Sequence, residues 1–129
     1  MLPYLLAALI ATAPSQCPLP NESPMVVTQL FFGRDIAGRA PLTDVEWSDF
    51  AAGVIAKNFP DGFTVGDGQG QWLDPKTRRV VQERSKIVIV AAAPAPDLAR
   101  RIEAVTDAYR LRFHQESVGA LSTTECGSF

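Results

Sequence analysis

The sequence predicts an α+β domain of the ferredoxin-like kind, β-α-β-β-α-β, with a four-stranded antiparallel sheet and two helices on one face. Three observations predict it. Two long β-branched runs, MVVTQLFFG at 25–33 and a segment centred on IVIV at 87–90, read as strands. Two other stretches, after Thr43 and after Asp97, space their apolar residues as helices do. Their order along the chain, with a short turn between the second and third strands, is that of a split βαβ unit.

The first strand ends at Gly33, and a loop follows to Pro41. Thr43 and Glu46 form a T-x-x-E capping box, in which each side chain satisfies a backbone N–H of the other. Leu42 and Trp47 stand at the positions of a hydrophobic staple. Trp47, Phe50, Ala51, Val54 and Ile55 make one apolar stripe, and Pro60-Asp61-Gly62 ends the helix in a turn. Residues 63–73 read as a second strand, broken by the alternating Gly66, Gly68 and Gly70, which suit a bent or bulged edge. The turn Asp74-Pro75-Lys76-Thr77 leads into the third strand, 80–92. Asp97 is expected to cap the second helix, with Leu98, Ile102, Val105 and Tyr109 on one face. Residues 116–124 read as a short last strand. In the order 4-1-3-2 the first and third strands are central, as suits the two most apolar ones.

The central strands carry a further implication. Met25, Val27 and Phe31 alternate with Val26, Leu30 and Phe32, and Ile87 and Ile89 with Val88 and Val90, so both sheet faces are apolar. Two helices cover one face, and a solvated face should be polar. The sequence therefore predicts a homodimer through the open sheet face, with a bound apolar ligand or a long loop as the other possible covers.

Residues 1–15 read as a signal peptide, 16–24 as a Pro-rich segment and 25–129 as the domain. The apolar run from Leu2 to Ala11 is too short to span a bilayer. Ala13-Pro14-Ser15 suits signal peptidase and leaves Gln16 as the mature start; Ala11-Thr12-Ala13 is the alternative, and the missing Lys or Arg before the run argues the other way. The expected location is periplasmic or secreted. A lipid anchor needs a small residue before the cysteine, and Gln16 precedes Cys17. No later segment is long and apolar enough to be transmembrane. Cys17 and Cys126, one near each end of the mature chain, read as a disulfide in an oxidising compartment.

The formal net charge of −2 argues against nucleic acid as a partner. Two cysteines and one distant His make no metal site, and no cofactor motif is present: Gly66-Asp67-Gly68-Gln69-Gly70 lacks the Lys-Ser/Thr and helix start of a phosphate loop.

The candidate catalytic residues are Glu83, His114 and Glu116, because a His beside a carboxylate can move protons near neutral pH. The candidate ligand-binding residues are Arg34, Trp72, Tyr109 and Gln115. Each has a plainer reading. His114 suits a helix C-terminus, Glu83 and Glu116 suit surface ion pairs, the Trp residues suit a core, and Arg34 suits a solvated loop.

Several segments together carry a resemblance: TQLFFGR (28–34), the Trp47 helix, FPDGFTV (59–65), GQGQW (68–72), ERSKIVIV (83–90) and YRLRFHQESV (109–118). The chain resembles the small exported bacterial proteins grouped as domain of unknown function 3574. The resemblance implies export and a ferredoxin-like domain, and it implies no catalytic residues. The expected function is that of a small binding or structural module of the cell envelope. The alternative is a small-molecule enzyme of the dimeric α+β barrel type, an isomerase or cofactor-free oxygenase using a Glu/His pair. A protein inhibitor would need a rigid exposed loop, for which only 34–41 is available.

Overall fold

The computed structural model describes residues 17–129; the segment expected to be a signal peptide, with its expected cleavage site, lies outside the described residues. The elements are β1 (Ser23–Gly33), a helix α1 in three segments (Asp44–Phe50, Ala51–Ile55, Ala56–Asn58), β2 (Thr64–Leu73), β3 (Val80–Ala92), α2 (Leu98–Phe113) and β4 (Gly119–Gly127). The sheet has the order β2-β3-β1-β4, with every pair antiparallel. This is the predicted ferredoxin-like α+β architecture, with the two most apolar strands in the centre.

The core lies between the sheet and the helices. Leu30 and Phe32 of β1 and Val88 and Val90 of β3 point into it, and all four are buried. They meet Trp47, Phe50 and Ile55 of α1 and Val105, Tyr109 and Phe113 of α2. Phe32, Phe50 and Tyr109 are mutual aromatic neighbours with centroids 4.8 to 6.0 Å apart and tilted or edge-on planes, the arrangement that the ring quadrupoles favour.

The middle segment of α1 is a π-helical turn, Ala51–Ile55, which the sequence reading missed. It accounts for the burial pattern. Trp47, Phe50, Ile55 and Phe59 are buried, and the five-residue step from Phe50 to Ile55 matches the i→i+5 period of one such turn. A regular α-helix would have put Val54 inward, and Val54 is only half-buried.

The capping box at Thr43 is present in full: Glu46 N donates to Thr43 Oγ1 at 3.2 Å and Thr43 N to Glu46 Oε2 at 2.8 Å. Arg39 also donates to Glu46 Oε2, at 2.8 Å. That bond, followed by the Thr43 N–H, holds the Glu46 carboxyl at about 2, well below its ordinary value of 4.5. A depressed carboxyl stabilises the fold fully above its unfolded value, and the contribution is lost as pH falls toward the folded one. Acid unfolding of Glu46→Gln is therefore expected to show a shallower loss of stability between about pH 4.5 and about pH 2 than that of the parent protein. Parallel curves for the two proteins across that window would remove Glu46 from the account.

Three details differ from the sequence reading. β2 is unbroken: all ten residues pair with β3, from Thr64 opposite Ile89 to Leu73 opposite Val80. Its glycines are at alternate positions, so they share one face without interrupting the ladder. β4 starts and ends three residues later than expected, because its pairing with β1 runs on to Pro24 opposite Cys126 and Ser23 opposite Gly127. Asp97 is the N-cap of α2, but its side chain makes no capping hydrogen bond; its carboxylate lies instead near Arg101, at 3.4 Å.

Cys17 and Cys126 form a disulfide, with Cα atoms 5.6 Å apart. A disulfide points to an oxidising, extracellular environment. No helix among the described residues is long and apolar enough to cross a membrane.

Candidate functional site

Four of the seven predicted site residues, Arg34, Tyr109, Glu83 and Gln115, converge where β1 ends, around Gly33, Arg34 and Asp35. The Tyr109 hydroxyl donates to the Gly33 carbonyl at 2.6 Å, and burial pushes that hydroxyl up to about 12. Glu83, on β3, lies over Gly33 from the opposite side of the sheet to the helices. A Cβ on Gly33 would run into the Glu83 carboxylate, so only glycine leaves that carboxylate where it is. Glu83 Oε1 accepts from Asp35 N at 3.3 Å. Gln115 closes the group by donating to the Asp35 and Phe113 carbonyls at 2.7 and 3.2 Å.

Arg34 is buried. Its Nε and Nη2 both donate to the Leu42 carbonyl, at 3.0 and 2.6 Å, and Nη2 also reaches Asp44 Oδ1 at 3.1 Å. Its backbone is fixed as well: Arg34 N donates to Arg84 O, and Leu42 N to Arg34 O. The residue is therefore a clamp on the 34–42 loop and not a solvated loop cation.

Beside it stands a residue the sequence reading missed. Lys86 is nearly buried on the helix-facing side of β3, in phase with Val88 and Val90. Its Nζ lies 2.5 Å from Asp67 Oδ1 and 3.7 Å from Asp44 Oδ1, and this contact holds the Asp67 carboxyl below its usual range. Two buried cations thus face two exposed carboxylates, and Arg34, Asp44 and Asp67 of this group line a cavity of ≈ 310 Å³. The signal was legible, since a lysine in phase with core valines demands a partner. Asp67 sits directly across the ladder from it.

The other three residues do not join this group. His114 ends α2 in a left-handed conformation, with φ 52°, and is exposed; its imidazole makes no hydrogen bond among the described residues. Glu116 is exposed, and only its backbone carbonyl is used, by Arg110 Nε at 3.1 Å. Trp72 lies on the β2–β3 ribbon that continues past the end of β1, opposite Val81, and is 52% exposed. Among the described residues, none of the five cavities of at least ≈ 310 Å³ that border these elements is lined by two of Glu83, His114 and Glu116. Cys17, Glu22 and Cys126 cluster closely enough to suggest a metal site, but both sulfurs are in the disulfide and offer no thiolate.

Residues 27–129 match the family described as "Protein of unknown function (DUF3574)". The chain belongs to this family. No curated protein matches it. Among solved structures, it is similar to a phage SAM lyase in complex with S-methyl-5'-thioadenosine. The TM-score is 0.60 and the identity 16%, over 81% of this chain and 90% of that one. The same lyase in its apo state gives 0.58 and 17%, over 82% and 90%. At such identity the likeness shows the fold alone, which agrees with the strand order of this member of the DUF3574 family.

Proposed function

We propose that this protein is an exported, disulfide-closed binding module of the cell envelope that works as a homodimer through the open face of its sheet. The observation that carries the reading is the composition of that face. The ladder places Met25, Val27, Phe31, Val81, Ile87, Ile89, Leu121 and Trp72 on it. Ile89 and Leu121 are 41% and 61% exposed. Gly66, Gly68, Gly70 and Gly119 share the face; Ile87 and Ser85 lie over Gly68 and Phe31 over Gly119, while at Gly66 and Gly70 no side chain covers the backbone, so a partner can approach it closely there.

Its only charges are Glu83 and Glu125, and it bears no Lys or Arg. A face without cations is a poor match for an anionic membrane surface or for nucleic acid. A second copy of the same apolar face suits it. Four strands about 4.8 Å apart and about ten residues long cover roughly 600 Å² in projection. That is comparable to one side of a standard protein interface, about 800 Å².

Leu121→Asp puts a carboxylate on the β4 side of this face, opposite Gln29, at a position already exposed in the single chain. The variant is expected to keep its fold and to run as a monomer in size-exclusion chromatography with light scattering. Leu111→Asp, on the outer face of α2, is expected to remain a dimer. A Leu121→Asp protein with the same mass in solution as the parent would refute the interface.

The fold likeness to a lyase lends some support to an enzyme reading. The proton-transfer pair that reading requires draws no support from the geometry, since His114 and Glu116 share no cavity with Glu83.

A further inference from the structure

A cavity of ≈ 660 Å³ lies far from the Arg34 cluster, at the end of the sheet where β3 leaves and β2 begins. Its volume is within the range of small-molecule sites. The walls are apolar, with Phe59, Phe63, Val90, Ala92 and Ala95 among them, and Arg101 supplies the one cation.

Arg101 is poorly satisfied for a guanidinium in such surroundings. Its Nη1 donates to the Asn58 carbonyl at a long 3.3 Å. Its Nε is the one buried side-chain nitrogen or oxygen among the described residues with no hydrogen-bond partner. Asp97 Oδ2, 3.4 Å away, is shared with Arg100. Nη2 makes no hydrogen bond among the described residues. The guanidinium is held over the Phe59 ring, 5.2 Å from its centroid, so it stays at the cavity wall instead of turning out to water. A buried donor left unmade is costly, and a charge-assisted bond is the strongest remedy. Asp61, exposed at the rim, disfavours a ligand with a second negative charge.

We infer that this cavity binds an apolar small molecule carrying a single carboxylate. The body lies against Phe59, Phe63, Val90 and Ala92, and the carboxylate is on the Arg101 guanidinium. Met25, Thr64, Ile89 and Ala91 of the open sheet face also line the cavity, so it borders the proposed interface, and the mass of the Leu121→Asp variant in solution separates a failure of the dimer from a failure of this site.

Isothermal titration of the intact, oxidised protein with octanoate, octan-1-ol and octylamine tests it. Octanoate is expected to bind at least about tenfold more tightly than either neutral or cationic analogue, the advantage of one charge-assisted hydrogen bond. Arg101→Gln should abolish that preference, whereas Arg101→Lys, which keeps the charge, should retain most of it. Ala95→Phe, which fills the cavity, should weaken all three. Equal affinities for the three probes, no binding of any of them, or a preference that survives Arg101→Gln would each overturn the inference.

Discussion

Phe50→Ala is expected to lower the stability of the fold by about 3–5 kcal/mol, the usual cost of truncating a fully buried aromatic. Phe50 is completely buried and shares with Tyr109 the largest set of aromatic neighbours among the described residues. Its ring lies 6.0 Å from Phe32, 5.9 Å from Trp47, 5.1 Å from Tyr109 and 6.0 Å from Phe113. It also carries the Arg112 guanidinium at 5.4 Å. It is thus where β1, α1 and α2 meet. Its removal leaves a cavity between elements that are themselves tied to the sheet, so the walls cannot collapse far. Urea unfolding measures the effect, with Leu111→Ala, on the exposed face of α2, as the near-neutral reference. A loss for Phe50→Ala no larger than that of the reference would mean that the helices are not held by this cluster.

Loss of the disulfide, in Cys17→Ser with Cys126→Ser, is expected to cost about 2–5 kcal/mol. The bridge joins positions 109 apart, and the chain-entropy account gives about 4.7 kcal/mol for a loop of that order. The effect should also be local. β4 is exposed from Gly119 to Cys126, and no helix lies over it. It is held by its ladder with β1, by the Thr28–Ser122 hydroxyl contact at 3.2 Å and by the bridge at its end. Hydrogen exchange of the double variant should therefore lose protection in β4 and in the β1 amides that pair with it, while β3 keeps its own. Unchanged stability with β4 as protected as β3 would contradict this role.

The architecture was legible because period and order agreed. Alternation identified β1 and β3 as doubly apolar, and the capping box marked the start of α1 to the residue. What escaped the sequence reading has physical causes. The π turn in α1 goes with its packing, since Ile55 is fully buried while Val54 packs only partly buried against the core. The glycines of β2 suggested a break, but alternate spacing gives a glycine-lined face as readily as a bulge. β4 is placed by its long-range partners, Pro24 and Cys126, which no local pattern reveals.

The candidate site was partly legible for the same reason. Arg34, Tyr109, Glu83 and Gln115 meet because the end of β1, the middle of β3 and the end of α2 meet in this topology. His114 and Glu116 are next to Gln115 in sequence, yet the left-handed turn at His114 directs the chain away. Lys86 and Asp67 were overlooked, although a lysine in phase with buried valines was the clearest polar anomaly in the strand pattern. Arg101 carries no local signal in the sequence; its setting against Phe59 depends on how α1 ends beside α2.

Native mass spectrometry of the protein exported by a bacterial host and purified from the periplasm tests the central claim most directly. The account predicts a mature chain beginning near Gln16, with its two cysteines oxidised, at the mass of two copies. A full-length chain with free thiols at the mass of one copy would contradict it.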